Sequence, residues 1–576
     1  MGTILNKIGV KTGVDSSNHF NLSCFHATSA RFYSPRCTYF HEFVGNEVWK
    51  MDARLSVKCL PMIKPTMCDI KVHNRFFFVP YYAIMERWKE FLADTPAAYS
   101  DGKEIPVVPT INENVLVSVL SDESNSIHTS AEDYDYWVFN TGSRVYYKFT
   151  EKGRTIYTIL LGLGYNINFN YGVAGGINTF SALPLLAYYK VWLDWYSNTA
   201  FDDTADLSYL FALRNSSSVL TSATVMMIFN RIVKTYLEKD YFTSATLNPV
   251  GTNKSTLQSG VVIPDFTTNS LTINGSVYAS GTPSILQNSA TQQTVASKYS
   301  IDAVNALTDY VKRHQLAGIQ PFNRILAEYG VTISDEALKR STFIGDLTSD
   351  VNVDEVLSNG YADDTVLGER AGFANAGGQK HLDFHNKNHG CIICVTTIVP
   401  RSSYTDGVKK HCLRINRLDY FTPSFEHLGM EPVAVAELRN NFVDTPQNTT
   451  LADPNGVFGY MPRYAAYKTA LDTISGCFAV RSKKSLFEPW VLKRQFKTWL
   501  PQDYQTISEN FTVAKHNTVN SPFVTTDADE DTFIIFCMWH VNAKLPMHKL
   551  FDEYQWSNEN DNPKEVTIAN QGVQLT

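Results

Sequence analysis

No stretch of this 576-residue chain reaches the roughly 18 apolar residues that a membrane-crossing helix needs, and the start M-G-T-I-L-N-K has no apolar signal core. The myristoylation pattern is missing too, because Asn6 stands where it wants Ser or Thr. The expectation is a protein made in a cytosol. A surplus of positive charge is also absent: 57 acids against 50 bases give a formal net charge of -7. No global basic field draws this chain to nucleic acid, so any such contact is local or shared with a basic partner.

Catalytic signatures are lacking. G-x-S-x-G, a Walker loop, G-x-G-x-x-G after a strand and H-E-x-x-H do not occur. G-L-G-Y at 162–165 and A-G-G at 174–176 have no phosphate-binding lysine after them and read as turns. Carboxylate pairs such as Asp363 and Asp364 read as solvated charge. Neither an enzyme active site nor a cofactor is expected. Cysteine is sparse and odd in number: the nine thiols at 24, 37, 59, 68, 391, 394, 412, 477 and 537 suggest buried reduced side chains, not a disulfide framework. Cys391-I-I-Cys394, with His381, His385 and His389 upstream, has metal-ligand spacing. However, C-I-I-C-V-T-T-I-V is a β-branched run in which residues three apart face opposite ways, so a core strand is expected and no metal. The preceding A-N-A-G-G-Q-K reads as loop.

What is present is apolar and aromatic, at 44% and 13%. N-R-F-F-F-V-P at 74–80 lines up three phenylalanines, a valine and a proline, which fits a strand buried on both faces. Such a strand needs cover on each side, from a large fold or a neighbouring subunit. Further strands are expected at 41–50, 53–60 and 70–80, and again in C-I-I-C-V-T-T-I-V and D-T-F-I-I-F-C-M-W-H-V-N-A-K-L. Between them, helical patterns run over 83–93, with Ile84, Trp88 and Phe91 on one stripe, and over 182–196, 219–238 and 301–330. The order is a β core interrupted by insertions. Residues 245–297 are dense in Ser, Thr, Asn and Gly with almost no charge, which suggests an exposed β-rich insertion more than a floppy linker. Basic clusters are few: Lys409-Lys410, R-x-K-K at 481–484 and K-R-Q-F-K at 493–497, the last beside Phe496 and Trp499.

Several blocks resemble one family. H-N-R-F-F-F-V-P with the helix I-M-E-R-W-K-E-F-L, A-L-P-L-L-A-Y-Y-K-V-W-L-D-W-Y-S-N, K-D-Y-F-T-S-A, G-V-F-G-Y-M-P-R-Y-A-A-Y-K and R-L-D-Y-F-T-P-S-F-E-H-L-G look like the major capsid protein of microviruses, nearest the gokushovirus-like branch. Trp195-Tyr196-Ser197-Asn198 and Met461-Pro462 depart from the family's versions of two blocks. The resemblance, over about residues 20–550, implies a mainly β, single eight-stranded antiparallel jelly roll with long helix-containing loop insertions. Its parts would be first strands in 20–80, helical and loop insertions in 81–244, a surface-exposed variable insertion in 245–297, helices and loops in 298–389, remaining strands and loops in 390–550 and a tail in 551–576. Sixty copies would make a T=1 shell around circular single-stranded DNA. Implied partners are a small basic DNA-packaging protein, a DNA pilot protein, a scaffolding protein and a host cell surface receptor.

On this reading Phe76, Phe77, Phe78, Trp88, Trp192, Trp195, Tyr460 and Tyr464 serve the core and assembly. Arg481, Lys483, Lys484, Lys493, Arg494 and Lys497 are the expected DNA contacts, being the densest basic groups outside the outer loops. Val261, Val262, Ile263, Leu271, Ile273 and Val277 would pack a threefold protrusion. The competing class is a carbohydrate-binding or carbohydrate-acting β-sandwich, which shares the jelly roll and the aromatic content.

Overall fold

A computed structural model describes residues 17–62, 64–85, 87–93, 107–120, 136–140, 143–147, 149–166, 179–198, 201, 219–247, 249, 271–273, 276–279, 309, 313, 325–327, 329–332, 334, 339–357, 370–426, 429–439, 456–479, 487, 490–494, 506–514, 522–523 and 531–547. Ten strands form its two large sheets: β1 (Asn18–Asn21), β2 (Cys24–Ala30), β3 (Arg36–Phe43), β4 (Glu47–Cys59), β5 (Ile70–Pro80), β6 (Thr342–Asp350), β7 (Asn352–Leu357), β8 (Arg370–Asn386), β9 (Gly390–Pro400) and β10 (Phe533–Leu545). The first sheet has the order β1-β10-β4-β8-β7, with β2 also on β10; the second is β6-β5-β9-β3. All of these pairings are antiparallel.

Setting β1 and β7 aside, the sheets read β2-β10-β4-β8 and β3-β9-β5-β6. From β2 onward the chain crosses between sheets at every step except β5 to β6, which is the winding of a jelly roll. The sheets carry six and four strands where an eight-stranded roll would carry four and four, because β1 and β7 extend the first.

Alternation explains the burial. In β4, E-V-W-K-M-D-A-R-L-S-V-K-C, the odd-numbered residues Trp49, Met51, Ala53, Leu55 and Val57 are buried, and the even-numbered ones look out. In β5 nearly every position is buried. Phe76 and Phe78 join the core between the sheets with Trp49, Trp539 and Ile392, whereas Phe77 and Val79 join a second core with Cys391 and Ile393. The three phenylalanines therefore serve two cores at once. The second core is closed by helices α1 (Tyr81–Ile84), α2 (Trp88–Ala93), α3 (Glu113–Leu120), α4 (Glu151–Gly162), α5 (Leu183–Val191) and α6 (Ser222–Ile232).

Local sequence sets these helices. Thr150 caps α4, its hydroxyl accepting from Gly153 N at 2.9 Å, and Thr221 caps α6 likewise. Val225, Ile228, Phe229 and Ile232 make the buried stripe of α6. Helix α5 has Pro184 in its first turn and is apolar apart from Lys190, so it is buried nearly all round, and it runs on into a π turn at Trp192–Tyr196.

Four expectations differ from the structure. Not all nine thiols are buried: Cys24, Cys412 and Cys477 are exposed. Residues 41–50 are not one strand: the chain turns at Gly45-Asn46, with Asn46 at φ 67°, and 47–50 open the long β4 that also contains 53–59. The helix expected over 83–93 breaks into α1 and α2 around Met85. The span 298–389, taken as helices and loops, carries β6, β7 and β8. A-N-A-G-G-Q-K reads as loop because Ala, Gly and Asn have weak strand preference, yet β8 pairs with β4 from Asn375 to Asn386. Its small residues have a packing reason: a Cβ at Gly378 would press on Leu347 of β6. Of the helix expected over 301–330, residues 309, 313, 325–327 and 329 are helical, Gly330 is not, with φ 67°, and the others lie outside the described residues.

Candidate assembly and nucleic-acid surfaces

A third core gathers the family-like blocks from distant parts of the chain. Phe242 of K-D-Y-F-T-S packs against Tyr404 at 5.0 Å and Phe458 at 6.2 Å, and Phe458 against Phe511 at 4.8 Å. Asp240 holds the turn, its Oδ1 accepting from the backbone N–H of Phe242 and Thr243 at 2.9 and 2.7 Å, while its Oδ2 accepts from the Tyr404 hydroxyl. Thr246 and Tyr460 then exchange two backbone hydrogen bonds of 2.9 and 2.8 Å. The described start of the 245–297 segment, residues 245–247, is held at this clamp.

The chain is fixed again before β6. Asp194 in the π turn takes Lys190 Nζ on Oδ1 at 2.6 Å, and its Oδ2 accepts from Ser341 N and the Ser341 hydroxyl at 2.8 Å. All three side chains are buried, so the ion pair also has the hydrogen bonds a buried charge needs. Trp195 lies outside this anchor. It is 37% exposed, donates Nε1–H to Ser341 O at 3.1 Å and carries the Arg340 guanidinium 4.0 Å from its ring centre.

The other expected core residues divide by burial. Phe76, Phe77, Phe78, Trp192 and Tyr464 are buried, and Trp88 and Tyr460 are half-buried. Among the expected DNA contacts, Arg481, Lys483, Lys484 and Lys497 lie outside the described residues, and Lys493 is half-buried. Arg494 requires a correction, since it is only 3% exposed. Its guanidinium stacks on Phe511 at 3.8 Å and donates to the Tyr404 hydroxyl at 3.3 Å and to the Phe511 carbonyl, so it serves the third core and is withdrawn from phosphate. For the protrusion, Val261, Val262 and Ile263 lie outside the described residues. Leu271 and Ile273 sit on the strand Leu271–Ile273, which pairs antiparallel with Ser276–Ala279, and Thr272 is the partner of Val277.

Cys391 and Cys394 face opposite cores, and His381 and His385 lie on the far side of the first sheet. These four groups do not converge. Burial pushes the Cys391 thiol well up and that of Cys394 to about 12, which suppresses thiolate chemistry. Among the described residues no three His, Cys, Asp or Glu side chains group as a metal site. A cleft of about 390 Å³ is lined by Asp69, Lys71, Glu238, Asp240, Arg401 and Asp472, but Lys71 pairs with Asp69 at 3.4 Å and Arg401 with Asp472 at 2.5 Å. Its charges largely answer one another.

A jelly roll wrapped by helices with aromatic cores is an architecture that capsid proteins share with lectin-like sandwiches, so the class rests on the comparisons with known proteins. The chain belongs to the capsid protein (F protein) family, which it matches over residues 9–118 and 166–551. It is also similar to the capsid protein VP1 of Chlamydia phage 1, at 27% identity over 277 residues. That alignment covers 46% of this chain and 44% of the relative, so the chain spans less than half of the relative's length in the match. The microvirus likeness of the sequence blocks agrees with both findings. No helix among the described residues is long and apolar enough to cross a membrane.

Proposed function

We propose that sixty copies of this capsid protein close into a T=1 shell around a circular single-stranded DNA genome, with the 245–297 insertion rising from the outer surface to engage a bacterial host. Jelly-roll winding in a chain that matches a phage capsid family carries this reading. The clamp of Thr246 on Tyr460 supports it, because it fixes the start of the inserted segment to the body, and the anchor of Ser341 on Asp194 fixes the chain again before β6. Loop-closure cost changes slowly with length, so the roll tolerates a large insertion or its removal. The shell would take a small basic packaging protein, a pilot protein and a scaffolding protein as partners. Arg481, Lys483, Lys484, Lys493 and Lys497 remain proposed interior DNA contacts.

The test replaces 250–296 with a short Gly-Ser linker and measures particle assembly and adsorption to host cells. Assembled particles that no longer adsorb are expected. Particles that adsorb normally would remove the host-engaging role, and a chain that no longer assembles would show that the insertion serves the shell itself.

A further inference from the structure

Helices cover the outward face of the second sheet, but among the described residues nothing covers that of the first. Along β10, F-I-I-F-C-M-W-H-V-N-A-K-L, the residues Phe533, Ile535, Cys537, Trp539 and Val541 point into the core, so Ile534, Phe536 and Met538 point out. They are 40%, 47% and 49% exposed, and Phe25 on β2 is 73% exposed. Strand register shows how these side chains lie together. One row across the sheet is Phe25, Met538 and Arg54; the next is Ala27, Phe536 and Ser56; the third is Ser29, Ile534 and Lys58. Cross-strand neighbours on one face stand about 5 Å apart, so the apolar side chains form one ladder edged by two cations.

The charge on this face is unbalanced. Lys50 reaches Asp383 at 4.0 Å and Asp52 reaches His381 at 2.7 Å. Arg54, Lys58 and Lys544, all exposed, have no carboxylate partner among the described residues. A second copy docked face to face would set these cations against an apolar ladder or against one another, its Asp52 and Asp383 being already engaged by His381 and Lys50. A polyanion supplies what is missing.

We infer that this face binds single-stranded nucleic acid, with phosphates on Arg54, Lys58 and Lys544 and unstacked bases on Phe25 and Phe536. The inference deepens the proposed function and rests on it only for the strand being DNA. A sheet bearing outward aromatics suits splayed bases: ring-on-ring stacking accepts any base, whereas a duplex hides its ring faces inside the stack. It also reconciles nucleic-acid contact with a chain of net charge -7, because the contact is local.

The test uses the purified full-length chain, below the concentration at which it assembles, with a dye-labelled 30-nucleotide oligodeoxythymidylate followed by fluorescence anisotropy over a salt series. Reversal of Arg54, Lys58 and Lys544 to Glu should weaken binding at least about tenfold and lower the slope of log affinity against log salt by about 2, since each lost single-strand phosphate contact removes about 0.7. The pair Phe25→Ala and Phe536→Ala should weaken it about tenfold with little change of slope. All five side chains are exposed, so melting curves should match the parent. A control reverses Lys409, Arg417 and Lys468, exposed cations elsewhere, and should bind like the parent. Parent-like binding by both face variants, equal loss in the control, or equally tight binding of a 30-base-pair duplex would overturn the inference. Sedimentation of the same variants keeps the two proposals apart: shells without oligonucleotide binding remove only this inference, and binding without shells removes only the capsid assembly.

Discussion

His381 stands on the outward face of β8 with its Nδ1 2.7 Å from Asp52 and its Nε2 3.3 Å from Asp383. Hydrogen bonds to these two carboxylates, Asp52 first, raise its pKa above the ordinary histidine value. The groups facing it are Asp52 on β4, Asp383 on its own strand, Lys50 beside Asp383, and His540 on β10 across from Asp52. A folded pKa raised above the unfolded one means that the stabilisation is complete below the unfolded value and lost as pH rises through the folded value. Histidine-selective NMR should therefore find His381 titrating above the free-histidine midpoint, and Asp52→Asn should lower it; a normal midpoint in the parent contradicts the geometry. Arg494 makes the opposite case, a cation spent inside. Arg494→Ala removes hydrogen bonds to a charged group, so urea unfolding should show a loss of about 1.5–3 kcal/mol. Oligonucleotide affinity should not move, and a loss of affinity at unchanged stability would return Arg494 to the DNA contacts.

At the scale of elements, α4 lies flush on its neighbours at two glycines. A Cβ at Gly162 would overlap the Cys37 carbonyl of β3, and one at Gly153 the Leu120 carbonyl at the end of α3. Gly162→Ala should thus destabilise by about 1–3 kcal/mol through overpacking, although alanine favours helix elsewhere. A melting temperature at or above the parent's would show that the helix stands further off. Phe77→Ala, which opens a cavity between β5 and the helical layer, should cost about 3–5 kcal/mol in denaturant unfolding. Much of this layer was legible in sequence: the run F-F-F-V-P announced a strand with two covers, and β-branching in C-I-I-C-V-T-T-I-V outweighed its metal-like spacing. Strand β8 was illegible because its alanines and glycines take their strand character from pairing with β4, which no local pattern carries. The outward face of the first sheet was half-legible. Lys50, Arg54 and Lys58 recur at intervals of four in β4, but only the register with β10 sets Arg54 beside Met538 and Lys58 beside Ile534. Arg494 misled for the same reason in reverse, since a basic run in sequence gives no sign that Phe511 and Tyr404 enclose one member.

For the whole molecule, the jelly roll supplies a two-sheet body and, among the described residues, helices cover its second sheet. Exposed aromatics remain on the single subunit, including Tyr420, Phe421 and Tyr467, with Arg414 stacked 3.8 Å from the Tyr467 ring centre. Arg and aromatic groups are the usual anchors of subunit contacts, and obligate interfaces bury on the order of 2,000 Å² or more. Isolated subunits should accordingly aggregate or assemble as concentration rises, and light scattering against concentration checks this. The most direct measurement of the central claim is cryo-EM of particles purified from cells expressing the chain with its phage partners. The account predicts closed icosahedral shells of sixty copies, each with the winding β2-β10-β4-β8 over β3-β9-β5-β6. A chain recovered only as a monomer or small oligomer, or a shell with a different copy number, would contradict it.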